Sequence, residues 1–584
     1  MNKNEELTHH AMLVAWGQFA QHIGLIEKIE GIHLHQKKVE HSPQTKVLEF
    51  FLSILGGLEH LKDLSYAAHP IEQDAAVAEA WLQPDWADYS GVSRCLSSLT
   101  SKEVEQIVQA LDGISQPILD AEVMLALARD GELVYDGDLT GRSVSSTSTT
   151  YPGTAFGYMG GEINLGYQAA LVSFHSPTYG RFWLSSKLHP GDVVSSTQAE
   201  ALLLAAEAKT GFRPMRRTDL LRERILQVEN LVESVEKQVI CVQKQLDCAH
   251  SKLERLFQQE TEWQQCIRAL EDRPPQRGRR PVLRLAKAQV KLNKLQRHQK
   301  RMQESLNRLE KRLALRHEQL SQCRSLKQTL EERLKCFEAQ NQKNSFPISA
   351  SIRMDAGFGS RENLALLIEM GYQVYTKPHS DWLTPRLKRH IPPEKAWSRV
   401  GANAEMIAWK KYQPRDFPYP LDVALERFYT GKTQRYGTLI HFGNHPVTDN
   451  LPEWFHQYNA RQIIEAGIKE GKHVFQMYHL KVRSTAAIYL QEQFALFAAN
   501  FIRWAAHWLS QECANIRDPW IILQQPRIKQ LVKVAAHTSA MVKFDEQGVL
   551  LRFTDRSVYA GRSLQLPKNW AIQLALPFPK NTCF

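Results

Sequence analysis

Between residues 218 and 342 the apolar residues keep a register that few folds can use. They fall at Leu221, Ile225, Val228, Val232, Val235, Val239, Val242, Leu246, Ala249, Leu253 and Leu256, in alternating steps of four and three. That alternation is the seam of a coiled coil. It resumes at Leu285, Ala288, Leu292 and Leu295 and continues through Met302, Leu306, Leu309, Leu313, Leu320, Leu330 and Leu334, with polar residues at a few seam sites. Between the two runs stands Arg273-Pro274-Pro275-Gln276-Arg277-Gly278-Arg279-Arg280-Pro281, which cannot continue a helix. Two matched helices around a Pro/Gly tip predict an antiparallel hairpin over 218–345. At about 1.5 Å per residue each arm would be roughly 80 Å long. From Arg273 to Arg301 there are eleven Lys or Arg and no Asp or Glu. A uniform sign over that length favours contact with phosphates, with Arg277, Arg279 and Arg280 as the tip candidates. Dimerisation through the arm is the competing and compatible role.

The rest of the 584-residue chain is too long for one core. The balance of the whole chain is basic, 73 Lys and Arg against 62 Asp and Glu, net +11. Such an excess suits a polyanionic partner. No run of about 18 apolar residues predicts a membrane span, and the N-terminus lacks the apolar stretch of a secretory signal. Eight cysteines without a CxxC pair read as reduced thiols, so a cytoplasmic protein is expected.

Residues 1–125 read as a helical N-terminal unit, a candidate DNA-binding module. From about 130 the pattern turns to strands: Leu133–Leu139, Gly166–Ser176 and Gly180–Leu188, followed by a helix over Thr197–Ala208. After the arm come a strand ending at Asp355, a helix over Ser360–Met370 and a strand over Gln373–Lys377. The segment 380–450 is β-leaning, a helix carrying Glu465 follows, and 480–510 is helical. Gly157–Gly161 reads as a turn between strands. Gly431-Lys432-Thr433 resembles the end of a phosphate-binding loop, but position 426 is Glu rather than Gly, so that motif is absent.

With the arm removed, the order of elements is that of an RNase H-like fold. Acidic residues stand at three telling places: Asp136 and Asp138 on the first strand, Asp355 at the end of the fourth, and Glu465 on the late helix. In such a fold these positions converge. Hard oxygen ligands suit Mg²⁺ or Mn²⁺, and two ions about 3.5–4 Å apart would activate a water or a 3′-hydroxyl on a phosphodiester. Asp136 and Asp138 point to the same strand face, so either is a candidate. Tyr458, Arg461, Glu465 and Lys472 are spaced by 3, 4 and 7 residues and share one stripe of a helix.

The spacing Tyr458-(2)-Arg461-(3)-Glu465-(6)-Lys472 resembles the signature of bacterial insertion-sequence transposases of the DDE class. Arg353-Met354-Asp355-Ala356-Gly357-Phe358 resembles their second-aspartate motif and Asp138-Leu139-Thr140 their first. The resemblance covers roughly residues 45–510. It implies metal-ligand and catalytic roles for Asp138, Asp355 and Glu465, with two Mg²⁺ or Mn²⁺ ions. It implies that Tyr458, Arg461 and Lys472 hold DNA, and that the partners are double-stranded transposon ends and target DNA, with a homodimer or larger assembly in the synaptic complex. The protein would be cytoplasmic and nucleoid-associated when bound. In some members a Trp in the insertion stacks on a flipped base, which makes Trp382, Trp397 and Trp409 candidates, although most tryptophans are core.

The expected architecture is therefore α/β: an RNase H-like core in three parts (126–217, 346–379 and 451–512), a helical N-terminal domain, the coiled-coil hairpin 218–345, a β-rich insertion 380–450 and a C-terminal region 513–584.

Overall fold

The computed structural model describes residues 5–36, 40–272, 279–379, 383–391, 397–415, 417–431, 433–513, 528–555 and 559–567. The tip residue Arg277 and Trp382 lie outside the described residues. Arg279 and Arg280 open a helix, but their side chains also lie outside them. The chain forms two compact units, Arg216–Ser345 and the remainder.

In the larger unit a short strand β1 (Glu6–Thr8) precedes helices α1 (Ala11–His22), α2 (Leu25–Glu30), α3 (Pro43–Leu55), α4 (Asp63–Tyr66), α5 (Ala75–Ala80), α6 (Tyr89–Ser98) and α7 (Ser101–Asp130). The N-terminal part is thus helical apart from β1. Helix α7 runs past residue 125, the expected end of the helical unit. It is opened by a capping box between Thr100 and Glu103, carries Pro117 inside, and stops at Gly131 with φ 71°.

The strands that follow are β2 (Glu132–Ser143), β3 (Ala155–Met159), β4 (Glu162–Phe174) and β5 (Phe182–Pro190), then helix α8 (Ala199–Thr210). Sequence reading missed β3. Only Gly160 and Gly161, both at positive φ, make the turn; Gly157 is inside the strand, where its bare Cα lies against the backbone of Gly191.

The arm, α9 (Thr218–Glu271) and α10 (Arg279–Gln342), comes next in the chain. Beyond it lie β6 (Ser349–Met354), α11 (Arg361–Glu369), β7 (Gln373–Thr376), α12 (Thr384–Arg389), β8 (Ser398–Arg399), β9 (Ala404–Tyr412), β10 (Leu421–Thr430) and β11 (Thr433–Phe442). Lys432 lies outside the described residues; on either side of it, Gly431 at φ 59° follows β10 and Thr433 opens β11. Helices α13 (Leu451–Asn459), α14 (Gln462–His473), α15 (Thr485–Cys513) and α16 (Ile528–Lys533) precede β12 (Ala540–Asp545), β13 (Gly548–Phe553) and β14 (Ser563–Pro567).

Ten strands form one sheet in the order β3-β4-β2-β6-β7-β11-β10-β9-β8, with β5 also paired to β4. Pairs β5–β4 and β4–β2 are antiparallel; β2–β6 and β6–β7 are parallel. The β-leaning segment is therefore not a separate body: β11 pairs antiparallel with β7 and extends the same sheet. A second sheet, β1-β12-β13-β14, ties the chain's beginning to its C-terminal part.

Helix α15 is the axle of this unit. Phe494, Phe497 and Phe501 pack on Phe51 of α3, and Phe501 also meets Phe19 of α1. On its other side Trp504 packs on Phe182 of β5, and Asn500 exchanges two 2.9 Å hydrogen bonds with the backbone of Trp183. An amide that gives and accepts with one strand residue serves as a short extra strand at that point.

In the arm the predicted seam is the buried one: Leu221, Ile225, Val228, Val235, Val242, Leu246, Ala249 and Leu253 face inward, as do Ala288, Leu306, Leu320 and Leu330. The polar seam sites are paired rather than orphaned. Gln299 donates to Glu260 Oε2 (2.7 Å) and Leu256 O (3.1 Å), and Lys327 pairs with Glu229 (2.8 Å). Arg222–Glu338 and Arg324–Glu236 cross between the helices in antiparallel order. Paired polar residues in an apolar seam fix the register of such a hairpin. Among the described residues no helix is long and apolar enough to cross a membrane.

Candidate active site

Strand β2 alternates its side chains, so Asp136, Asp138, Thr140 and Arg142 share one face of the sheet. The parallel register pairs Asp136 with Arg353 and Gly137 with Met354. One residue further on, Asp138 in the middle of β2 comes beside Asp355, just past the end of β6. The two candidate aspartates on β2 are not equivalent. Asp136, 2% exposed, is gripped by Arg353 through Nε–Oδ1 at 2.6 Å and Nη2–Oδ2 at 2.7 Å. A carboxylate already held in a buried fork-to-fork pair is a structural partner. Asp138 keeps its carboxylate at the site.

Helices α13 and α14 bring the rest. The single helix expected here is two, hinged at Ala460 and Arg461, where Arg461 N donates to Tyr458 O and Ile464 N to Arg461 O. Both hinge residues keep αR backbone, so the stripe survives the break. Arg461 Nη1 lies 3.3 Å from Asp138 Oδ2, and its Nη2 donates to Glu465 Oε1. The guanidinium thus bridges two of the three acids. Asp355 accepts from Gly357 N at 2.9 Å. Lys472 is in the last turn of α14, half-buried, and interacts electrostatically with Asp138 and Arg142. Burial and Arg142 lower its pKa, while Asp138 and Glu492 oppose that.

Tyr458, expected from the resemblance to hold DNA, is turned inward. It is 5% exposed, inside a cluster with Trp454 and Met406. Its hydroxyl is hydrogen-bonded to Arg461, and burial pushes its pKa up to about 12. It positions Arg461 from behind. Lys377 Nζ lies 5.3 Å from the Tyr458 ring and 3.0 Å from the buried Glu426. Of the insertion tryptophans, Trp397 is covered by the Arg427 guanidinium at 3.9 Å, and Trp409 is half-buried on β9.

Burial pushes the Asp138 carboxyl up to about 7. The neighbouring Asp355 and, less, Glu465 add to this, while Arg461 and the Leu139 N–H oppose it. Three converging carboxylates with one guanidinium among them are short of positive charge. The charged form of Asp138 is the disfavoured one in the fold, so its contribution to stability is complete below about 3.8 and is lost as pH rises through about 7. In EDTA, thermal unfolding should show the parent chain losing stability relative to Asp138→Asn between about pH 4 and 7, by a few kcal/mol at most. Parallel curves would show that Asp138 is not under this strain.

Further groups escaped sequence reading. Arg142 pairs with the buried Glu492 of α15 (3.0 Å), and Ser186 donates to the same carboxylate (2.9 Å). Arg181 donates to Ile463 O and to Glu470 Oε2 (2.6 Å), seating α14 on the sheet. This seat explains Gly467, which looks unsuited to a helix. A Cβ there would stand 2.2 Å from Arg181 Cζ and 2.6 Å from Trp183 Cζ2. Gly467→Ala, although about 1 kcal/mol better for an isolated helix, should lower the melting temperature and push Glu465 and Arg461 out of place; an unchanged or raised melting temperature would refute that packing argument.

As placed, no three His, Cys, Asp or Glu side chains among the described residues stand close enough together to hold a metal ion. Between Asp138 and Glu465 the cationic position is filled by Arg461.

No protein-family model matches the chain, and no curated protein does. Among solved structures it is similar to a piggyBac transposase synaptic complex with hairpin DNA, at 8% identity over 92% of this chain and 84% of that one, with a TM-score of 0.34. A score that low defines no shared fold. The functional reading rests on the residues themselves.

Proposed function

We propose that the chain is a DDE-class DNA transposase built on an RNase H-like core, cutting transposon ends and joining them to target DNA. The observation that carries it is the meeting of Asp138, Asp355, Glu465 and Arg461 on one sheet face, from two adjacent parallel strands and one late helix. The strand order β5-β4-β2-β6-β7, antiparallel for the first three and parallel for the last two, supports the RNase H-like assignment. The Tyr458-Arg461-Glu465-Lys472 spacing supports the insertion-sequence class.

The residue types suit two Mg²⁺ or Mn²⁺ ions, oxygen ligands only with an excess of negative charge that raises the pKa of Asp138, but as placed Arg461 stands between Asp138 and Glu465 and would have to withdraw for the acids to close on them. Asp138, Asp355 and Glu465 would hold them. When bound, the ions supply a more acidic water or 3′-hydroxyl and neutralise the leaving oxygen of the phosphodiester. The chain's own residues do the rest. Arg461 and Lys472 present cationic groups beside the acids, where a scissile phosphate would lie. Tyr458 holds Arg461 from the buried side. The Arg353–Asp136 pair locks β2 to β6, so that Asp138 and Asp355 keep their spacing. Transesterification conserves bond energy, so ATP is not required. Joining two ends calls for at least two copies of the chain.

The test is incubation of the purified chain, with Mg²⁺ or Mn²⁺, with labelled duplex carrying the sequences that flank its own gene, with and without target duplex. Cleavage at a defined end and a joined product with target are expected. Cleavage without joining would leave a site-specific nuclease, and tight end binding with neither product would leave a non-catalytic DNA-binding protein.

A further inference from the structure

The distal half of the arm departs from the charge balance of the rest. Between residues 279 and 301, α10 carries nine Lys or Arg and no acid. Five of them, Arg284, Lys287, Lys291, Lys294 and Arg301, each stand one position before a seam residue: Leu285, Ala288, Leu292, Leu295 and Met302. They therefore share one flank of the seam, turn after turn, over about 26 Å at 1.5 Å per residue. All five are exposed, and none forms an ion pair with a carboxylate among the described residues.

Nearer the base the arm behaves differently. There Arg222, Arg324 and Lys327 are matched with Glu338, Glu236 and Glu229 across the hairpin. Distally the facing helix does not answer the charge: Glu260 is taken by Gln296 and Gln299, and opposite Lys291 stands Trp263, its ring 4.6 Å from the ammonium. A solvated helix face normally mixes signs. The facing stretch of α9 also holds Glu254, Glu262 and Glu271, but among the described residues none of them forms an ion pair with the row, so its cations stay open to an external polyanion.

We infer that this row is a DNA-binding site in its own right, one that takes the phosphate backbone of duplex DNA without reading sequence. A single helix about 10–12 Å across fits a major groove about 12 Å wide, but two packed helices do not. The arm must therefore lie over the phosphates rather than in the groove, with a cation roughly every 5 Å along it. Counterion release from such contacts gives salt-dependent, sequence-independent affinity. The inference rests on the transposase reading only in taking DNA as the polyanion.

The test uses the full chain and a fluorescein-labelled 60-base-pair duplex of arbitrary sequence, with anisotropy measured from 50 to 300 mM KCl. The variant Arg284→Gln/Lys287→Gln/Lys291→Gln/Lys294→Gln keeps helix-forming residues at every position. Its log–log salt slope should be shallower by about 3.6, near 0.9 for each of the four lost contacts, with at least tenfold weaker binding at low salt. Replacement of the three lysines by arginine should restore the parent slope. An unchanged melting curve shows that the hairpin is intact. An unmoved slope, or a change in sedimenting mass in its place, overturns the site. A chain that cuts no DNA but shows the slope change retains the arm site and loses only the transposase reading; one that cuts with an unmoved slope does the reverse.

Discussion

Glu465→Gln should lower end cleavage by about 10³-fold or more, some 4 kcal/mol of barrier, while duplex binding stays within about twofold. The substitution is nearly isosteric, and the amide oxygen can still accept from Arg461. What disappears is the negative charge in a cluster whose other members are Asp138 and Asp355. Cleavage of labelled end duplex, followed in single turnover with Mn²⁺ and again with Mg²⁺, reads this directly. Asp355→Asn should behave alike, and the double variant should lose little more, because groups that act as one unit are not additive. Cleavage at the parent rate by Glu465→Gln would remove this residue from the chemistry and the DDE reading with it.

The second large effect concerns stability. Arg353→Met should destabilise the larger unit by about 3–5 kcal/mol, because it strands the Asp136 carboxylate in a site that is 2% exposed. Adding Asp136→Asn should recover a good part of the loss, since the remaining amide carries no charge to desolvate. Urea denaturation of the parent, both single variants and the double variant gives the coupling energy of the cycle. Independent, additive losses would show that the pair does not hold the strands. Because the pair spans β2 and β6, Arg353→Met should also slow cleavage beyond what its unfolded fraction explains.

Local, periodic signals made part of this chain legible. The seam of the arm needs only the 4-3 spacing, and its buried residues fall where the spacing put them. Asp138, Asp355 and Glu465 stood out as a set because each ends or interrupts an apolar element where the order of strands and helices would bring them together; in the structure Arg461 stands between Asp138 and Glu465. The choice between Asp136 and Asp138 came from the resemblance alone, not from the strand pattern. In the structure it turns on Arg353, a residue 217 positions from Asp136 whose partner is fixed only by the register of two parallel strands. The place of Gly467 is hidden from sequence for a similar reason: its cost to an isolated helix is local, whereas its benefit lies in Arg181 and Trp183, far away in sequence. The burial of Tyr458 was not legible in its polar helical stripe, because the β9–β11 strands that cover its ring are brought there by the extended sheet. Strand β3 was hidden by its glycines, which permit a close backbone approach that composition reads as a turn.

The arm interrupts the larger unit between Asp138 and its two partners, and this bears on how the acids find each other. An unstructured insertion of 130 residues (Arg216–Ser345) would have to be closed as a loop before β6 could add beside β2. The hairpin returns its end to its beginning: Arg216 N donates to Asn341 Oδ1 at 2.8 Å, and Asn341 Nδ2 donates to Arg216 O at 3.0 Å. Once it has zipped, the chain entropy of closure is that of a loop of a few residues, a saving of about 2–3 kcal/mol. The hairpin needs only contacts between helices joined by a short turn, so it can form before the sheet does. Assembly of the acidic cluster is then conditional on the arm, and damage to the seam far from the acids would register as slow refolding of the larger unit.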